Sequence, residues 1–309
     1  MIEGVTAPRA GTAVLKDDTV LTGTGVSFGT FGELLQGALP GAGEDFLVTL
    51  PIARWSTARI TLFPDVAEVC VEPSHKQKSA HVARCLLDAY GARLGGTLEI
   101  TSDLPEGKGM ASSSADLVAT VRAVGAALGL AVSPEETELV LRGVEPTDGL
   151  MYQGIVAFYH RKVALCRDLG APPALTVVGV DEGGQIDTVD FNVTRPSITR
   201  AERREYERLL EDVSRALPRG DLAALGRVST RSARLNQRRC HKRTLDRMIE
   251  ISAAAGALGV VVAHSGTMIG VLVARTDPDH ARKVADIQAA CAELGMPVSV
   301  EHTLRAART

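Results

Sequence analysis

No run of 18 apolar residues occurs in this chain of 309 residues, so the sequence offers no hydrophobic helix able to cross a bilayer. The N-terminal stretch from Met1 to Pro8 lacks the basic-then-apolar order of a signal peptide. Basic excess is missing too: 34 Lys and Arg face 37 Asp and Glu, for a formal charge of −3, and aromatics make up only 4%. Such a chain has neither the field that holds a phosphate backbone nor the rings that stack bases, which disfavours a nucleic-acid partner. Paired cysteines are absent: Cys70, Cys85, Cys166, Cys240 and Cys291 are odd in number and scattered, with no C-x-x-C, and read as reduced thiols. The expectation is a soluble, cytoplasmic protein. A Walker A string is also lacking, since Ser102 stands where its first Gly belongs and Gly109 follows Lys108.

What is present is 45% hydrophobic and 23% charged residues, the balance of a globular protein with enough chain for two domains. Its most informative stretch is Pro105-Glu106-Gly107-Lys108-Gly109-Met110-Ala111-Ser112-Ser113-Ser114, a run of small residues leading into a helix. That helix carries Leu117, Val118, Val121, Val124 and Leu128 on one face and stops at Gly129. Small residues let backbone amides approach a ligand, and the unpaired amides of a helix start favour phosphate. A simple serine cap is the competing reading.

Before this loop lies Val26 to Gly37, where glycines frame Glu33; the pattern suits a functional acid or a turn with a solvated Glu. Strands are expected at Phe46 to Leu50 and Ala58 to Phe63, joined through Pro51 to Ser56, where Arg54 either grips a substrate carboxylate or sits solvated. A helical pattern covers 77–90, and a strand at Thr97 to Ile100 feeds the serine loop. Beyond the central helix, Ser133-Pro134-Glu135-Glu136 is a capping box with Pro at the first helical position. Asp148-Gly149 then forms a turn ahead of a strand at Ile155 to Tyr159; Asp148 is a general base or plain turn chemistry.

Pro172-Pro173 marks the expected domain boundary. After it come a hairpin about Asp181 to Gly184, with strands Leu175 to Val180 and Gln185 to Val189, and helices opened by Thr199, in a capping box with Glu202, and by Asp221. A further helix spans Thr244 to Ala255, strands Gly259 to Ala263 and Met268 to Ala274 meet through His264 to Thr267, and a last helix and a strand at Val298 to His302 follow. This order predicts an antiparallel, ferredoxin-like α+β layer.

Taken together, the glycine-framed Glu33, the serine loop and the turn near the C-terminal strands resemble the GHMP kinases, which include galactokinase, homoserine kinase and mevalonate kinase. Their second motif is usually P-x-x-x-G-L-G-S-S-A, and here Met110 and Ala111 take the places of Leu and Gly. Within the family the likeness is to bacterial L-threonine kinases of cobalamin side-chain assembly, with first motif P-G-T-C-G-E-L-x-Q-G against Phe28 to Gly37 in this chain. It continues through Pro51 to Arg54, Glu145 to Asp148, Asn236-Gln237 and Val262 to Gly266, and covers most of residues 25–275.

The resemblance implies the two-domain α+β GHMP fold, with a ribosomal protein S5 domain 2-like ATP-binding domain at 1–172 and a ferredoxin-like domain at 173–309. It implies ATP and Mg²⁺ as cofactors and a small hydroxylated amino acid as the acceptor, L-threonine first, with serine, homoserine or a specialised metabolite, or a non-catalytic ligand-binding member, as alternatives, and leaves a homodimer open. The 105–114 loop would wrap the ATP phosphates and Ser113 would help hold Mg²⁺. Glu138 fits the second metal ligand by its distance from Gly143, with Glu145 as rival. Asp148 matches the aspartate that orients or deprotonates the acceptor hydroxyl. For the acceptor itself, Arg54 would take the carboxylate and Glu33 the ammonium, with Gln36 and His264 lining the pocket.

Overall fold

The computed structural model describes residues 19–41, 44–184 and 196–304. Its backbone is one mixed sheet in which β1 (Leu21–Ala38) and β2 (Asp45–Phe63) form the central antiparallel pair. β2 pairs on with β4 (Gly95–Ser102), and β3 (Val69–Glu72) lies parallel to β4 at the edge. β5 (Ile155–Tyr159) also meets β2 and forms a hairpin with β6 (Ala164–Gly170).

The C-terminal half contributes β7 (Leu175–Asp181), β8 (Gly259–Val262), β9 (Met268–Ala274) and β10 (Val298–His302), arranged β10-β7-β9-β8 and antiparallel throughout. Fourth, first, third, second is the ferredoxin-like order expected from the sequence. The two halves join where Glu33 of β1 pairs with Val262 of β8.

Helices α1 (Gln77–Ala89), α2 (Ser112–Leu128) and α3 (Pro134–Leu141) belong to the first half. α4 (Arg200–Arg219), α5 (Leu222–Asn236), α6 (Leu245–Ala254) and α7 (His280–Ala292) belong to the second. The capping boxes read from the sequence form as expected: Ser133 Oγ accepts from the Glu136 amide at 3.1 Å and Thr199 Oγ1 from that of Glu202 at 3.2 Å. Asp221 caps α5 through the Ala224 amide at 2.9 Å.

α2 is the core helix. It lies directly on β1, because Gly23 and Gly25 have no side chains to hold it off: a Cβ on either would come within 2.1 Å of the carbonyl oxygens of Ala123 and Ala119. Leu117, Val118, Val121 and Val124 are buried there with Leu98, Ile100 and Ile60.

Two expectations change. Phe46 to Leu50 and Ala58 to Phe63 are not two strands but one strand of 19 residues. Pro51, which should interrupt a ladder, faces Thr30 beside a register shift of β1, where a missing N–H is tolerated. Likewise Val26 to Gly37 is not a turn but the middle of β1, with Gly32 in a left-handed bulge (φ 58°) that turns Glu33 into the interior. The proposed partner strand Gln185 to Val189 lies outside the described residues; β7 instead pairs with β9 and β10.

Candidate active site

The site is built at the start of α2. Gly107 (φ 71°), Gly109 (φ 82°) and Ala111 (φ 58°) take left-handed conformations that fold the loop back over the helix end. Ala111 occupies the cap position without any side-chain cap bond, so the serines do not act as caps. The three serines lie within the first turn and divide by direction: Ser112 and Ser114 are buried, Ser113 is exposed. First-turn amides without intrahelical acceptors and the positive end of the helix dipole thus face the loop.

The C-terminal half closes the loop from behind. The Lys108 carbonyl accepts from the amides of Thr267 at 3.1 Å and Met268 at 3.3 Å. Gly109 and Gly266 pack so closely that a Cβ on Gly266 would lie 2.0 Å from the Lys108 oxygen. The buried Lys242 ammonium donates to the Gly266 carbonyl and, at 3.3 Å, to Cys240 Sγ. Lys108 Nζ reaches Asp181 at 2.7 Å and the Gly184 carbonyl at 2.9 Å. Burial raises the Asp181 pKa, but the bonds from Lys108 and Thr267 outweigh it and leave the carboxyl below its ordinary value.

In front of α2 lies an open pocket of about 380 Å³, lined by His75 to Ser79 and by Glu106, Gly107, Ser112, Ser113, Asp116 and Leu117. Lys76 crosses it, with its ammonium 2.5 Å from both Glu106 and Asp116. Burial would lower the Lys76 pKa, yet the two carboxylates hold it above its ordinary value. Asp116, buried within α2, also accepts from Ser56 Oγ at 2.5 Å.

Beside the pocket, the 145–148 turn meets the serines. Ser113 Oγ lies 2.5 Å from Glu145 Oε1, and the other oxygen of Glu145 takes Lys78. Ser114 Oγ donates to Asp148 Oδ2 at 3.2 Å and accepts from the Asp148 amide at 3.3 Å. Burial of Asp148, opposed by the Ser114 bond and aided by the charge of Glu145, pushes its pKa up to about 6.

Glu138 does not join this group. Its Oε1 accepts from the Tyr152 hydroxyl and the Leu165 amide, both at 2.8 Å, which pins α3 to β6. The geometry therefore favours the rival, Glu145, as the acid beside Ser113. A hydroxyl and a carboxylate at a helix start whose free amides suit phosphate also suit Mg²⁺, which takes few protein oxygens and completes its shell with phosphates and water.

Arg54 is also elsewhere engaged. Its Nε and Nη2 grip Glu301 at 2.7 Å each and its Nη1 holds the Asp103 carbonyl at 2.9 Å, so the carboxylate it receives comes from β10. The remaining acceptor candidates do gather. His264 Nδ1 is 2.8 Å from Gln36 Oε1, its ring stands edge-on to His160 with centroids 5.0 Å apart, and Gln36 Nε2 donates to Val262, the pairing partner of Glu33. Lys76, Asp116, Ser56 and His160 were not singled out from the sequence. Only Asp116 left a signal there, a charge on the apolar side of the core helix.

This arrangement, a phosphate-type loop at a helix start, clamped by a ferredoxin-like layer and flanked by an acid on a turn, defines a small-molecule kinase. The model of the GHMP kinases N terminal domain matches residues 77–156 and that of the GHMP kinases C terminal domain residues 213–292. The chain belongs to the GHMP kinase family, whose enzymes use ATP. It is 28% identical to an L-threonine kinase of Citrobacter freundii over 252 residues, 80% of this chain and 85% of that protein. A similar relative, an L-threonine kinase of Salmonella typhimurium, is 26% identical over 260 residues, covering 81% and 83%. Among solved structures, a homoserine kinase from Cytophaga hutchinsonii superimposes with a TM-score of 0.71 at 16% identity, over 94% of this chain and 95% of that one. No helix among the described residues is long and apolar enough to cross a membrane.

Proposed function

We infer that the chain transfers the γ-phosphoryl group of ATP to the side-chain hydroxyl of L-threonine, giving O-phospho-L-threonine. The observation that carries this reading is the convergence of Ser113, Ser114, Glu145 and Asp148 at one helix start, in a chain similar to L-threonine kinases along most of its length. Phosphoryl transfer asks mainly for alignment and charge stabilisation. The 105–114 amides would cradle the phosphates. Ser113 and Glu145 would hold Mg²⁺, which when bound neutralises charge on the phosphate oxygens. Asp148, ionised above pH 6 and kept in place by Ser114, would orient the acceptor hydroxyl and take its proton. The boundary between the two domains is assigned to Pro172-Pro173, just ahead of β7. The product would feed the aminopropanol linker of cobalamin.

A second reading takes another hydroxylated amino acid, L-homoserine, as the acceptor, on the same fold and the same helix start. Mg²⁺-dependent ADP release measured against L-threonine, L-serine, D-threonine, L-homoserine and mevalonate separates the two. Turnover with L-threonine, abolished in Asp148→Asn, is expected. Activity with L-homoserine alone would replace the acceptor, and no turnover with any of the five would overturn the reading.

A further inference from the structure

Charge is laid out unevenly along the chain. Residues 200–243 hold 13 Lys and Arg against 6 Asp and Glu, while the whole chain is formally −3. Much of this excess stands on the helical hairpin of α4 and α5, which turns at Gly220 in a left-handed conformation (φ 65°).

Between the two helices lies an open groove of about 420 Å³, within the usual range of small-molecule sites. It shares no lining residue with the pocket in front of α2. Buried Leu209, Ala216 and Val228 give it an apolar floor, and the exposed Arg215, Arg219, Arg227 and Arg231 line it above them. The acids of the groove are already engaged. Asp212 is taken by Arg215 at 2.6 Å, and Asp221 accepts from the Ala224 amide at 2.9 Å as the cap of α5. Glu205, which does not line the groove, grips Arg231 at 2.6 and 3.0 Å. Arg219 and Arg227 have no hydrogen-bond or ion-pair partner among the described residues.

Two uncommitted guanidiniums over an apolar floor match a ligand that brings charged oxygens for the forks and an apolar body for the floor. The surplus of positive charge around them raises the local concentration of such an anion. The wall is also fixed in advance: on the other side of α5, Ser229 Oγ donates to the Val260 carbonyl at 2.7 Å and Ser232 Oγ accepts from the Gln36 amide at 3.0 Å. We propose that the α4–α5 groove binds a small phosphorylated molecule with an apolar body, its phosphate held by Arg219 and Arg227. The site is separate from the phosphate-type loop and stands whichever acceptor the kinase uses.

The test is calorimetric titration of the full chain with phenyl phosphate, inorganic phosphate and benzyl alcohol, with excess Mg²⁺ and the ATP analogue AMPPCP present to fill the loop at α2. Phenyl phosphate is expected to bind once per chain, about 10-fold more tightly than inorganic phosphate through partial burial of its ring, with no binding of benzyl alcohol at the same concentrations. Arg219→Gln and Arg227→Gln should each weaken phenyl phosphate by roughly 5- to 10-fold, between the worth of an exposed ion pair and that of a hydrogen bond to a charged group. Arg208→Gln, at an exposed position of α4 outside the groove, should leave it unchanged. Equal weakening by all three variants would reduce the effect to general charge and overturn the site. Binding that ignores Arg219→Gln and Arg227→Gln, no binding to the wild-type chain, or displacement of phenyl phosphate by a pentaglutamate peptide that binds more tightly would overturn it as well. Failure of AMPPCP to bind would count against the kinase reading alone, since the groove is read through its own arginines.

Discussion

Two aspartates stand at the same helix start and are treated in opposite ways. Asp116, one turn into α2, is saturated: Lys76 and Ser56 each approach one of its oxygens at 2.5 Å. Asp148, on the turn alongside, has among the described residues only the long side-chain bond from Ser114 and the repulsion of Glu145, and burial raises its pKa to about 6. A carboxylate surrounded by compensating donors builds structure, whereas one left under-compensated retains basicity that can be spent on a substrate proton.

Exchanging each for a neutral isostere tests this contrast most severely. Asp148→Asn should lower kcat by roughly 10²- to 10⁴-fold, the usual range for a lost general base, with the KM for ATP nearly unchanged. A kcat within a few-fold of wild type would remove Asp148 from the chemistry. Asp116→Asn should act first on stability: breaking a buried pair costs about 3–5 kcal/mol, and partial exposure of Lys76 puts the expected loss at the lower end, read as a fall in the urea midpoint. Activity lost with an unchanged midpoint would place Asp116 among the catalytic groups instead.

The acids beside the serines can be compared in the same way. Glu145→Gln should raise the Mg²⁺ concentration needed for half-maximal rate by about 10- to 100-fold, as for altered groups in metal sites. Glu138→Gln should leave the Mg²⁺ dependence alone and loosen α3 from β6. The reverse outcome would restore Glu138 as the metal ligand.

The pH dependence of Asp148 sharpens the comparison. Its pKa in the folded chain stands above the ordinary 3.8, so its protonation favours folding: that contribution is full below pH 3.8 and is lost as pH rises through about 6. Asp148→Asn should therefore raise Tm at pH 7.5, with the gain shrinking toward pH 4, while kcat/KM of the wild-type chain falls as pH drops below 6. Equal Tm differences at both pH values would refute the raised pKa. The smallest effect on catalysis is expected at Arg54. Arg54→Ala leaves the buried Glu301 without its bidentate partner and should lower stability by about 1–3 kcal/mol, the cost of an unmet buried group, but should not move the acceptor KM.

Local features were legible because they obey local rules. The serine loop, the stop at Gly129, the capping boxes at Ser133 and Thr199 and the cap at Asp221 each depend on residues a few positions apart. β2 was misjudged at Pro51 because what makes the proline harmless is the register of β1, which no short window contains. Glu138 was preferred over Glu145 by its sequence distance from Gly143, but that count ignores where Tyr152 and the Leu165 amide stand. Arg54 had a suitable functional group, and its partner Glu301 lies 247 positions away.

The sequence by itself determined the class of this protein: a glycine- and serine-rich helix start of the kind that suits phosphate, followed by strands and helices in an order that closes a ferredoxin-like layer behind it. Only the tertiary structure decided which acids gather at that helix start and that Arg54 is already engaged by Glu301. The reason is physical. Backbone torsions and caps are set by neighbouring residues, whereas the state of a charged side chain is fixed by burial and by the one or two groups within about 3 Å of it, the reach of a hydrogen bond. Folding brings those groups together from opposite ends of the chain.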